Sequence, residues 1–154
     1  MMNSYELLLD EASNNGLIVK EKPLKNADGR IKGRKIAIRK NLDTTAEKRC
    51  VLAEELGHYY TTYGEILDYS LLENVKQELK ARIYGYNKLV GLDGIIRAYT
   101  SGCQNQYEIS ELLGITEEFL TECIDYYREK YGAHAEIDNY IIIFIPNLAV
   151  IEKI

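Results

Sequence analysis

The chain has 154 residues, 46% of them hydrophobic and 28% charged, with 11 Gly, two Pro and a net charge of −5. That length points to a single domain, and the composition excludes collagen-like, low-complexity and wholly disordered chains. The longest purely apolar run, Ile141 to Ile145, is too short to cross a bilayer, and no charged-then-apolar leader opens the chain, so neither a membrane span nor a secretory signal is expected.

Residues Asn3 to Asn14 read as a short helix with Tyr5, Leu8, Leu9 and Ala12 on one side, stopped by Asn14-Asn15-Gly16. Leu17-Ile18-Val19 reads as a strand, Asn26-Ala27-Asp28-Gly29 as a turn, and Arg34 to Arg39 as a strand with Ile36 and Ile38 on one face; the two strands are expected to form a small antiparallel sheet. This region is basic. Residues 20–49 hold eleven Lys/Arg against four Asp/Glu, a net +7, while the rest of the chain sums to −12. Such a run can meet nucleic acid or an acidic partner, or be a solvated strand-and-loop surface, which is the plainer reading.

Thr44 and Glu47 have capping-box spacing, and a helix from about Ala46 to Tyr63 follows, with Leu52, Leu56, Tyr59 and Tyr63 as its apolar stripe. A second long helix is expected from about Leu71 to Val90, with Leu72, Val75, Leu79, Ile83, Tyr86 and Val90 in a narrow wedge, and a third from about Leu92 to Thr100. Tyr107 to Tyr131 reads as helix, turn, helix, with Leu113-Gly114-Ile115-Thr116 as the turn and Thr116 as N-cap. The second of these helices carries Glu117, Glu118, Glu122, Asp125 and Glu129 against Arg128 and Lys130. That sign is wrong for phosphate, so the segment reads as core packing or a protein-docking surface, and direct nucleic-acid binding is not expected. A strand at Tyr140 to Ile145, ended by Pro146, and another at Leu148 to Ile151 close the chain. Helices dominate and strands are few, which makes the fold α+β.

Three cysteines, Cys50, Cys103 and Cys123, none in a C-x-x-C pair, argue against a disulfide framework or a cysteine zinc cage and for a reducing cytoplasm. The chemistry concentrates in Leu52-Ala53-Glu54-Glu55-Leu56-Gly57-His58. Glu54 and His58, four apart on one helix, share a face and can grip one cation, while Glu55 points to the side, where a carboxylate can hold a water. The arrangement is that of H-E-x-x-H with glutamate in place of the first histidine. A glycine inside a helix costs about 1 kcal/mol against alanine, so Gly57 suggests the close approach of a substrate or of a neighbouring helix. Glu78, 20 residues after His58, is the candidate third ligand if the two long helices pack antiparallel. The plain alternative is a surface Glu54–His58 pair and an exposed Glu78–Arg82 ion pair.

These residues resemble the ImmA/IrrE metallopeptidases of bacteria, their prophages and other mobile elements. Leu52-Ala53-Glu54-Glu55-Leu56-Gly57-His58-Tyr59-Tyr60-Thr61-Thr62 is similar to the family's L-A-H-E-L-G-H form, and Glu78-Leu79-Lys80-Ala81-Arg82-Ile83-Tyr84-Gly85 to its E-x-x-A-x-x-x-A segment. The resemblance spans most of residues 1–131 and is specific around positions 50–90. It implies a mainly helical, zincin-like domain at residues 1–104, with a small antiparallel sheet, and a helix-turn-helix-like tail with terminal strands at residues 105–154, packed as one compact unit. It implies a cytoplasmic, zinc-dependent endopeptidase that cleaves a helix-turn-helix repressor, with Glu54, His58 and Glu78 as metal ligands and Glu55 as general base.

Glu54 departs from the family pattern. Zinc accepts carboxylate oxygen, but a second anionic ligand makes the bound water less acidic and shifts preference towards manganese or other oxygen-loving ions. A slow peptidase is therefore expected, or a catalytically degenerate protein that holds a repressor without cleaving it. Tyr60, Tyr63 and Tyr84 are candidates for an oxyanion donor. His134, after the helical tail, is expected in an exposed loop, with replacement of the missing imidazole as its alternative role.

Overall fold

A computed structural model describes residues 2–61 and 71–154, with the side chains of all of these except 71 and 72. The expected helix end at Tyr63, the Gly64–Ser70 connection and the Leu72 side chain lie outside the described residues. The chain forms two compact units, residues 1–85 and 86–154, the division falling within one helix. Both are α+β.

The first unit opens with α1, Ser4–Asn14, which buries Tyr5, Leu8 and Ala12. Asn3 caps it: its side chain accepts from the Glu6 N–H at 2.8 Å, and Glu6 reaches back to the Asn3 N–H. Three strands follow, β1 Ile18–Lys22, β2 Gly29–Lys32 and β3 Lys35–Arg39, in the order β1-β3-β2. β2 and β3 form the antiparallel hairpin, turning at Gly33, whose φ is 60°. The expected antiparallel pairing of the other two is corrected: β1 runs parallel to β3, Ile18 opposite Lys35. Sequence reading passed over β2. With β2 on the far edge the chain reverses twice, and β3 returns in the direction of β1.

Helix α2, Thr45–Thr61, begins where expected, with Thr44 Oγ1 accepting from the Glu47 N–H at 3.1 Å. It packs on α1 and on β2 and β3, so Cys50, Leu52, Ala53 and Leu56 are buried, and Ile36 and Ile38 meet it from the sheet. Helix α3, Leu71–Leu89, follows. Its expected stripe holds at the C-terminal end, where Tyr86 and Val90 are buried, and fails earlier, where Val75 and Leu79 are 57% and 52% exposed. The reason is a contact between small residues. A Cβ on Gly57 of α2 would sit 2.8 Å from Ala81 Cα, so backbone meets backbone there. The inward face of α3 is then Ala81 and Gly85, and Val75 and Leu79 turn outward.

The second unit holds α4 Gly91–Thr100, α5 Gln106–Leu113 and α6 Glu117–Tyr131. The turn between α5 and α6 is as read from the sequence: Gly114 ends α5 with φ 68°, and Thr116 Oγ1 accepts from the Phe119 N–H at 3.0 Å. An antiparallel sheet follows, β4 His134–Ile137, β5 Tyr140–Ile143 and β6 Ala149–Glu152. His134 is thus exposed as expected, but it lies in a strand opposite Ile143 rather than in a loop. The core of this unit is Leu120, Ile124, Tyr127, Ile142 and Phe144 with Ile95 and Ala98. Tyr127 keeps its hydroxyl satisfied by donating to Asn87 Oδ1 at 2.8 Å. No described helix is long and apolar enough to cross a membrane.

Candidate metal centre

The Gly57–Ala81 approach does more than fix the rotation of α3. It brings the α3 turn that carries Glu78 against the α2 turn that carries Glu54 and His58. One ligand atom from each of Glu54, His58 and Glu78 lies within 4.8 Å of the others. His58 Nε2 and Glu78 Oε1 are 3.1 Å apart, so the imidazole nitrogen and a carboxylate oxygen face each other across the two helices. The side chains grade outward, from His58 at 18% exposed to Glu78 at 53%.

The donor set suits a divalent cation. Zinc takes imidazole nitrogen and carboxylate oxygen at about 2.0–2.2 Å, which sets neighbouring donors roughly 3.4 Å apart in a tetrahedron. The three side chains need to draw in only slightly, and three protein ligands leave a fourth position open. Two carboxylates and one imidazole also suit manganese.

Glu55 stands beside this cluster, and its residue is 8% exposed. Its carboxyl is pushed up to about 7, by burial first and then by the charges of Glu54 and Glu78. The strand above it makes room by having no side chain: a Cβ on Gly29 would come within 2.9 Å of Glu55 Oε1 and 2.7 Å of Val51 Cγ1. Sequence reading gave Gly29 a turn role and missed this one, because the signal lies in which residue β2 sets over α2.

The alternative pairing of Arg82 with Glu78 is not what the structure shows. The Arg82 ion pair among the described residues is with Glu54 across the helices, Nε to Oε1 3.8 Å, and not with Glu78 four residues away. Tyr60 and Tyr84 pack against each other, ring centroids 5.5 Å apart, and burial followed by Tyr60 and Glu11 raises the Tyr84 hydroxyl above its ordinary range. Tyr63 lies outside the described residues. His134 is not part of the three-residue cluster.

Comparison with protein-family models, with curated proteins and with solved structures finds no match to this chain.

Proposed function

We propose that this chain is a metal-dependent endopeptidase of the ImmA/IrrE kind, encoded by a prophage or mobile element, which hydrolyses a peptide bond in a helix-turn-helix repressor and so relieves repression. The zincin-like character of residues 1–104, the helix-turn-helix-like nature of the tail and the cytoplasmic setting belong to the same reading. One observation carries it: Glu54, His58 and Glu78 converge from two helices beside a buried Glu55.

Glu54, His58 and Glu78 hold the cation, zinc first and manganese as the alternative. The cation supplies polarisation of the scissile carbonyl and acidification of water. Glu55, buried beside the cluster and one residue from Glu54, is placed to take a proton from water and return it to the leaving amine. Burial under Gly29 raises the Glu55 carboxyl, and the 3.1 Å approach of His58 Nε2 to Glu78 Oε1 already sets these two donors near the spacing a shared cation needs.

A second reading, a protein that binds a repressor without cutting it, is favoured by one contact: the Arg82 guanidinium lies 3.8 Å from Glu54 and competes with a metal for that carboxylate. Elemental analysis and a cleavage assay decide between them. The peptidase reading expects one equivalent of zinc or manganese per chain, lost on Glu54→Ala or His58→Ala, and repressor cleavage lost on Glu55→Gln with metal retained. Metal at background level refutes the metal centre, and repressor binding without cleavage establishes the second reading.

A further inference from the structure

The sheet of the first unit has two faces. Val19, Glu21, Gly29, Ile31, Ile36 and Ile38 alternate towards the helices: Glu21 bonds Tyr5 and Lys48, and Gly29 lies over Val51 and Glu55. The other face presents Lys20 and Lys22 from β1, Arg30 and Lys32 from β2, and Lys35 from the central strand. All five are exposed, and none is in an ion pair with a described residue. No acid occupies this face of the strands; Asp28, at the rim, is taken by Arg39 at 3.2 Å. Between the cations runs a groove of about 600 Å³ with an apolar floor that includes Ile18 and Ala37.

Neighbouring strands are about 4.8 Å apart and alternate residues about 6.8 Å apart. The β1 and β2 cations therefore form two rows roughly 10 Å apart, with the central strand between them. Lysines on edge strands discourage sheet-to-sheet pairing, but that role requires neither an apolar floor nor a cation on the central strand.

From this we infer that the outer face of the sheet is a docking site for an acidic polypeptide segment carrying an apolar side chain. Carboxylates of such a segment meet the two cation rows, and its apolar group covers Ile18 and Ala37. Nucleic acid fits less well. The face has no aromatic ring on which a base can stack, so the phosphate attraction would act without its usual partner. The site lies on the side of the sheet opposite Glu55 and stands independently of any hydrolysis.

Fluorescence anisotropy of the full chain tests this with a fluorescein-labelled dodecapeptide, Glu-Glu-Leu repeated four times. Its Lys-Lys-Leu counterpart and a mixed-sequence 12-nucleotide DNA, single-stranded and duplex, serve as comparators. Saturable binding of the acidic peptide is expected, at least tenfold tighter than either DNA and weakened by salt. It should fall at least tenfold in Lys20→Glu/Arg30→Glu and in the milder Lys32→Gln/Lys35→Gln, with unchanged circular dichroism. It should persist in Glu55→Gln and in EDTA, so its failure and failure of the peptidase reading are separable. Absence of saturable binding, indifference to both double variants, or DNA bound as tightly as the peptide overturns the inference.

Discussion

Glu55→Gln has a consequence for stability that can be measured without knowing any substrate. In the folded, metal-free protein the Glu55 carboxyl holds its proton up to about pH 7, against an ordinary value of 4.5. Between these limits the folded state binds a proton that the unfolded chain has released, so stability falls as pH rises. The contribution is complete below about pH 4.5 and lost by about pH 7. A displacement of this size corresponds to on the order of 3 kcal/mol, taken as an upper figure because a real unfolded chain is not fully solvated. Glutamine has the same shape and no charge to bury. In EDTA at pH 8 the variant should melt several degrees above the parent, at roughly 2–4 °C per kcal/mol for a chain of this size. At pH 4.5 the two should nearly coincide. Thermal melts followed by circular dichroism from pH 4.5 to 8.5 give the difference directly, and titrating groups that do not act on Glu55 cancel because both proteins share them. A melting difference that does not change with pH refutes the claim that Glu55 is a buried acid destabilised when ionised.

The contact between helices is tested by Gly57→Ala, which forces a methyl into the Ala81 backbone and should cost about 1–3 kcal/mol in chemical denaturation. Gly94→Ala, whose Cβ would meet nothing nearer than Leu113 Cδ2 at 3.7 Å, should be tolerated, and equal losses for the two would refute the close approach. Gly29→Ala should leave a folded protein with impaired cleavage, because the new methyl displaces the Glu55 carboxyl; a peptidase assay normalised to metal content reads this. Thr116→Ala removes the cap of α6 and should cost about 1 kcal/mol in the denaturant midpoint. Glu54→His should raise the preference for zinc over manganese at least tenfold in competitive metal titration.

Much of the site is legible in the sequence because it rests on local spacing. Glu54 and His58 share a face by helix geometry alone, and Thr44, Gly114 and Thr116 mark helix ends with side-chain or backbone chemistry of their own. The strands β2 and β4 are not legible in the same way. Gly29–Lys32 and His134–Ile137 alternate over only four residues with one large apolar side chain each, Ile31 and Ile137, too short a signal without the neighbouring strand that supplies the ladder. The rotation of α3 was hidden for a different reason. A reading of large apolar residues gives Val75 and Leu79 weight and Ala81 none, whereas close helix approach selects the smallest side chains. Arg82 follows from that rotation: it reaches Glu54 across the helices because α3 presents a face that the periodicity did not single out.

The same geometry explains why glutamate at position 54 matters more than its size suggests. Two carboxylates and a neutral imidazole cancel the charge of a divalent cation, whereas one carboxylate and two imidazoles leave a net positive charge facing Glu55. In the present site Glu54 and Glu78 both push the Glu55 proton affinity up, and a neutralised cation opposes them less than a cation with charge to spare. A compensating charge comes from Arg82, 54% exposed and 3.8 Å from Glu54, where solvent screens it. Under the proposed function, the centre is thereby biased towards a base that works at higher pH and a cation that tolerates oxygen. Glu54→His removes one of the charges acting on Glu55 and loosens Arg82, so the tighter zinc preference should be accompanied by an acid limb of the cleavage profile moved to lower pH. If the metal preference changes and the pH profile does not, the coupling between Glu54 and Glu55 inferred from their proximity is wrong, even though both lie at the centre.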